Sequence, residues 1–517
     1  MAFRLRLHSL FMASLLVLVA CGDPPRPPDD TTASSTTTQQ SDASEEDGPE
    51  PSDVAPPVTA KPQDDGPQTD GLAAGVGAIP GPGTAGAPTA SATAASSDAA
   101  CPAAPNHSAP DPNRPRYRMN VDLRLSENAV VGDLAVDFTP DIRTDRVVFR
   151  LWPNGPRSAR HGARLDVFDL RIDGKTVPAS VENPTTLVGR PEGGLAAGRK
   201  VTITVPWRLT LPNESSDRVS RSGDAVRLGS FFPILSWEPG VGWSTNPPTS
   251  AFAEASSAPV ADWSVNVKIP PGLTALASGT YDRPGHWQGT YLRDWAMSVG
   301  RFTLAGVTVA APHPVRVTVG VHAGIGDSAL LYAQRAAAAV ADFGRRFGGY
   351  PDTEYDLAIT PGLSGGIEYP GHVMQGPGTS GRTTSHEVAH MFFYSLAGND
   401  QGRDPWLDEG LATYAEGRFE GSLAGMRSTS IPADARNRLG EPMTYWEGHQ
   451  SSYYRGTYTQ GAQALAALGP LDQVDCALRH HATRNAHRIS SNRTALDAFT
   501  AVFPNAREVF GRYGVRG

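Results

Sequence analysis

The chain has 517 residues and a formal net charge of −8, and no Phe, Trp or Tyr occurs between Phe11 and Tyr117. A stretch that long without aromatics cannot nucleate a packed core. From Gly22 to Pro110 there are 13 acidic residues against Arg26 and Lys61, a net of −11. With the +2 of Arg4 and Arg6 also set aside, the remainder carries only +1, which excludes the broad basic face of a nucleic-acid binder.

Arg4 and Arg6 precede an apolar run from Leu10 to Ala20, about half the ~20 residues that cross a bilayer as a helix. Residues 1–20 therefore read as an export signal. Leu18-Val19-Ala20-Cys21 resembles the lipobox of bacterial lipoproteins, which implies cleavage before Cys21 and lipidation of its thiol; an ordinary signal peptide is the alternative. Two or more acyl chains anchor stably, each buried CH₂ contributing about 0.8 kcal/mol. Residues 21–116, rich in Pro, Thr, Ser and Asp, are expected to form a disordered tether, roughly 50 Å long as a flexible coil. The expectation is an exported bacterial lipoprotein, held to a membrane in the periplasm or on the cell surface. With Cys21 consumed, Cys101 and Cys476 remain in an oxidising compartment. Either they pair, clipping the tether's end to the C-terminal region, or they stay as two free thiols.

From Tyr117 the pattern alternates: Met119, Val121, Leu123 and Leu125, then Leu134, Val136 and Phe138, then Val147 and Phe149. Period two predicts strands. Similar runs recur at residues 201–205, 263–269 and 295–299, with Pro, Gly and Asn between them, so residues 117–310 are expected to form an all-β sandwich-like domain. After the alternating Val315 to Val321, the spacing of Leu330, Leu331, Ala336, Ala337, Val340 and Phe343 predicts a helix. Another strand at Tyr355–Thr360 leads to a glycine-rich turn, and helices dominate from Thr384. The fold class is therefore α+β, with residues 311–517 as a second unit whose helices follow its strands.

His386-Glu387-Val388-Ala389-His390 falls inside such a helix. Histidines four apart share one helical face about 6 Å from each other, so both rings can converge on one Zn²⁺. Glu387 is placed to reach an attacking water without binding the metal, the position of a general base. Trp406-Leu407-Asp408-Glu409-Gly410 opens another helix, nineteen residues beyond His390, and offers Glu409 as third ligand. Two His and one Glu leave a tetrahedral position open, as in catalytic rather than structural zinc. Other histidines, His449, His480, His481 and His487, have no spacing that compels a second metal and read as a solvated helix face.

His386-Glu387-x-x-His390, eighteen residues, then Glu409 in a Trp-Leu-x-Glu-Gly-x-Ala-x-Tyr context resembles the gluzincin metallopeptidases of the aminopeptidase N and leukotriene-hydrolase family. Gly365-Gly366-Ile367-Glu368-Tyr369 resembles that family's Gly-x-Met-Glu-Asn motif. The resemblance implies that Glu368 grips the substrate's free amine and that the backbone of Gly365 and Gly366 pairs with the peptide as an added strand. Tyr458-Thr459-Gln460-Gly461-Ala462 resembles Tyr-x-Lys-Gly-Ala, which implies Tyr458 as the hydroxyl that stabilises the tetrahedral intermediate. Phe149-Arg150-Leu151-Trp152 and Phe231-Phe232-Pro233 look like landmarks of the family's saddle-shaped first domain, with a thermolysin-like catalytic domain after it.

Ile367, Tyr369 and Gln460 depart from the family's Met, Asn and Lys. Only 56 residues follow Gly461, so the helical end is short and a more open site is expected. No residue of the β domain matches the second acidic group that some relatives place at the amine. The expectation is an enzyme with one Zn²⁺ per chain that removes N-terminal residues from peptides. An endopeptidase using the same zinc, and an inactive surface-binding lipoprotein, are the alternatives.

Overall fold

The computed structural model describes residues 101–250, 258–310 and 313–517. The export segment, Cys21 and most of the expected tether lie outside the described residues. Among the described residues no helix is long and apolar enough to cross a membrane.

The alternation after Tyr117 becomes the centre of a nine-stranded sheet. Arg116–Arg124 pairs antiparallel with Ala129–Phe138, which pairs antiparallel with Val201–Thr210, and its other edge runs parallel to Ala261–Lys268. Tyr117, Met119, Val121 and Leu123 all point inward and are buried, while the alternate positions face out, as period two demands. Two four-stranded sheets and the two-stranded pair of Trp237–Glu238 with Gly242–Trp243 complete the β-rich part. Their shared core includes Trp207, Phe231, Phe232, Trp263 and Trp295, the Tyr117 and Trp263 rings stacking at 3.9 Å.

The second core forms around a five-stranded sheet in the order Phe302–Val309, Val315–His322, Glu354–Ile359, His372–Gln375, Gly366–Tyr369. The three middle strands run parallel and the two outer ones antiparallel to their neighbours. The sheet moves one boundary: Phe302–Val309, expected within the first domain ending at 310, pairs along its whole length with Val315–His322. Period two identifies a strand but carries no information about which sheet it joins. The Ala329–Phe347 helix, predicted from spacing, starts with Ser328 accepting from the Leu331 amide and ends at Gly348 in the left-handed region, a favoured cap at each end. It packs with the helices Arg382–Ala389, Trp406–Phe419 and Leu471–Arg484 into a continuous apolar core.

Two buried arginines of the β-rich part tie it to the segments around the second core. Arg227 donates to Thr360 Oγ1 at 3.0 Å and to the Pro361 carbonyl, and Arg293 donates to the carbonyls of Ser395 and Arg488 at 3.4 Å each. Carbonyls can satisfy a buried guanidinium's donors without a carboxylate. Cys101 and Cys476 form a disulfide. The Ser108 amide and hydroxyl donate to the carbonyls of Thr483 and Arg484, so the last residues of the expected tether lie along the Leu471–Arg484 helix. His480 and His481 are buried rather than solvated: His480 Nε2 meets the Pro102 carbonyl at 3.0 Å, and the His481 ring packs between Phe393 and Phe499.

Candidate metal centre and peptide cleft

His386 sits on the Arg382–Ala389 helix and His390 at its C-cap, and their rings meet at 4.7 Å between centroids. Glu409, in the first turn of Trp406–Phe419, lies between them: its Oε2 is 3.2 Å from His386 Nε2 and 3.6 Å from His390 Nε2. Tetrahedral zinc with bonds of about 2.0–2.1 Å holds neighbouring ligand atoms about 3.3 Å apart. The three donors fit that ion. All lie within 4.8 Å of one another, and the two-nitrogen, one-carboxylate set suits zinc.

The reverse side of each imidazole is also occupied. His390 Nδ1 lies 2.6 Å from Asp408 Oδ1, and His386 Nδ1 lies 3.2 Å from Glu416 Oε2. Such carboxylates fix the tautomer so that Nε2 presents its lone pair to the metal. Neither role was legible in sequence, although both residues sit on the Glu409 helix, one before and seven after the ligand. Each carboxylate is held in turn by a side chain that also reaches the cleft. Arg382 donates to Glu416 Oε1 at 2.7 Å and to the Tyr454 hydroxyl at 3.1 Å. Gln401 Nε2 donates to Asp408 and, at 2.9 Å, to Glu368 Oε1.

Glu387 is buried, and its Oε2 has no hydrogen-bond partner among the described residues. Burial pushes its carboxyl up to about 8, against the pull of the two nearby histidines. Burial also raises Glu409, but the His386 hydrogen bond and the charges of both imidazoles outweigh it and hold Glu409 below the usual carboxylate range. The Glu387 carboxylate lies against Gly366, where a Cβ would come within 2.3 Å of its Oε1. Only glycine lets the strand and the Glu387 carboxylate approach this closely.

Gly366–Tyr369 is the outer strand of its sheet, paired on one side with His372–Gln375. Gly365 precedes it, and Glu368 is half-buried on it beside His390 and Asp408. Ile367 and Tyr369 pack in a small apolar cluster with Leu363 and Met374; Tyr369 stays outside the cleft, whereas Ile367 also lines it. Gln460, the third departure, is buried with its amide spent on the Ala435 and Gly456 carbonyls and the Asn437 amide.

Tyr458 stacks on His386 at 5.8 Å and on Tyr454 at 4.6 Å between ring centroids. It is delivered there by close helix contact: a Cβ on Gly461 would lie 2.6 Å from the Gly410 Cα, so two glycines let the Tyr458 segment press onto the Glu409 helix. Burial raises the phenol well above its ordinary value, with Glu409 adding to the effect, so it stays a proton donor. The cleft of about 210 Å³ is lined by Gly365, Gly366, Glu368, Glu387, Gln401 and Tyr458 together with the three candidate ligands.

No family model matches the chain. Among solved structures, the M1 zinc metallopeptidase from Deinococcus radiodurans is similar, with a TM-score of 0.58 and 18% identity over 78% of this chain and 95% of that one. A glutamate-to-alanine mutant of that protein bound to a Tyr-Ser-Ala substrate gives 0.54 and 19% over the same shares. The two-domain mutant bound to L-tryptophan gives 0.53 and 18%, again over 78% and 95%. At these identities the likeness establishes the fold: a mixed α/β chain of several sheets with a helical C-terminal region.

Proposed function

We propose that the chain is a zinc-dependent peptidase with a thermolysin-like catalytic domain, and that it removes N-terminal residues from peptides. The observation that carries this reading is one cleft in which three candidate metal donors within 4.8 Å of one another lie beside a buried Glu387 oxygen that no group among the described residues satisfies. His386, His390 and Glu409 would hold the ion. When bound, zinc supplies Lewis acidity toward the scissile carbonyl and water.

The chain's own groups divide the remaining work. The outer strand Gly366–Tyr369 offers its free edge to the peptide backbone, as strand addition requires. Glu368 accepts from the N-terminal ammonium and sets the register one residue from the cut. Glu387 takes a proton from the attacking water through Oε2 and returns it to the departing amine. The Tyr458 hydroxyl donates to the carbonyl oxygen as its charge grows, a contact made more strongly in the transition state than in the ground state.

The same reading puts the chain outside the cytoplasm on a lipid anchor at Cys21. It is supported by the apolar run before that cysteine and by the Cys101–Cys476 disulfide, since such bonds persist in oxidising compartments. The test of the activity is a panel of amino-acid anilides and matched N-acetylated peptides, with and without a chelator. The free-amine substrates are expected to be cleaved and the blocked ones spared. Equal cleavage of both would reassign the chain as an endopeptidase, and zinc-loaded protein that cleaves neither would refute the enzyme.

A further inference from the structure

Gln401 is 2% exposed and lines the cleft beside Glu368. Its amide nitrogen donates to Glu368 Oε1 and to Asp408 Oδ2, and turning the amide around would set its carbonyl oxygen against both carboxyl groups. The NH₂ faces the two acids, and the carbonyl oxygen lies on the other arm of the amide. That carbonyl, Oε1, is buried and has no hydrogen-bond partner among the described residues. A buried acceptor left without a donor costs free energy and calls for an explanation.

Gln401 is one of the side chains that line the cleft. Glu368 is one acceptor for an ammonium that carries three N–H donors, and the β-rich part shows no acidic side chain among those lining the cleft. Resting on the aminopeptidase reading above, we infer that Gln401 is a substrate-binding residue: its Oε1 accepts a second hydrogen bond from the substrate's N-terminal ammonium, while its Nε2 holds Glu368 to accept the first. A neutral acceptor beside one carboxylate recognises a primary ammonium without adding a further negative charge next to Glu387 and Glu409.

The test is a binding comparison in the full, zinc-loaded chain carrying Glu387→Gln, so that turnover does not interfere. L-leucinamide and 4-methylpentanamide, the same molecule without its amine, are titrated before and after Gln401→Met. The parent is expected to prefer the amine by tenfold or more, and Gln401→Met to remove about tenfold of that preference, the size of one hydrogen bond to a charged group. Zinc affinity, read by chelator competition, is expected to fall by less than the roughly 10–100-fold loss that follows removal of a group bonded directly to a ligand. A parent with no preference for the amine would overturn the aminopeptidase reading itself. A parent that prefers the amine, with the preference intact in Gln401→Met, would overturn the role of Gln401 alone, as would equal weakening of both ligands together with zinc loss. Gln401→Asn, which withdraws the amide by one methylene, gives the same readings if the Met variant does not fold.

Discussion

Two helices of this chain each carry a pair of buried histidines, and their surroundings could hardly differ more. On Arg382–Ala389 and its cap, His386 and His390 each have a carboxylate behind Nδ1 and share Glu409 in front. On Leu471–Arg484, His481 packs between phenyl rings, its Nδ1 beside the Asn485 amide and its Nε2 without a hydrogen-bond partner among the described residues. Burial pushes His481 down to about 4, so it is a neutral packing group. His480 lies near two sulfurs, which with it make a second group of three donors within 4.8 Å, but those sulfurs are spent on each other. Burial among rings makes His481 part of a core; carboxylates on both sides of the His386 and His390 rings make that pair the candidate ligands.

The sharpest way to break that contrast is to remove one imidazole from each helix. His386→Ala or His390→Ala is expected to abolish stable zinc binding and, with it, nearly all peptidase turnover. His481→Phe should keep both, as read by metal analysis and anilide hydrolysis. Zinc retained in the first pair, or lost in the third variant, would erase the distinction.

Next in size is the disulfide. Replacing Cys101 and Cys476 by Ser is expected to cost about 2–5 kcal/mol of stability in denaturant unfolding, with zinc content unchanged. A fall in stoichiometry would mean that the second cluster also holds metal. Smaller again, Asp408→Asn and Glu416→Gln each remove a charge from behind an imidazole and should weaken zinc about 10–100-fold by chelator competition, while the apoprotein unfolds near its parent midpoint.

The smallest effect is on pH. His481 has a folded value near 4 against an ordinary 6.5, so the unfolded chain takes up its proton first as the medium becomes acid. The stability His481 contributes is complete above about 6.5 and is lost as pH falls toward 4. His481→Phe should flatten stability across that window, and an unchanged slope would place the titration elsewhere.

How much of this was legible beforehand follows from what sequence spacing can encode. His386, Glu387 and His390 are set by the helical repeat, and Glu409 by its place in the first turn of the next helix, so these four candidates could be picked out without coordinates. Asp408 and Glu416 were in plain view on the same helix, yet which carboxylate turns to the metal and which to the back of a ring depends on rotamers and crossing angle. Gln401 was invisible because its partners, Glu368 and Asp408, come from different elements. The strand Phe302–Val309 was read as a strand but assigned to the wrong side of residue 310, since alternation is the same in either sheet. His480 and His481 were read as solvated because adjacent polar residues on a helix usually are; here the chain around Pro102 and the Phe393 and Phe499 rings cover them.

The central claim is one zinc ion among three side chains, and anomalous diffraction at the zinc edge from zinc-loaded crystals tests it most directly. The account predicts a single strong peak within about 2.2 Å of His386 Nε2, His390 Nε2 and a Glu409 oxygen. No peak there, or a peak beside His480 instead, would contradict it.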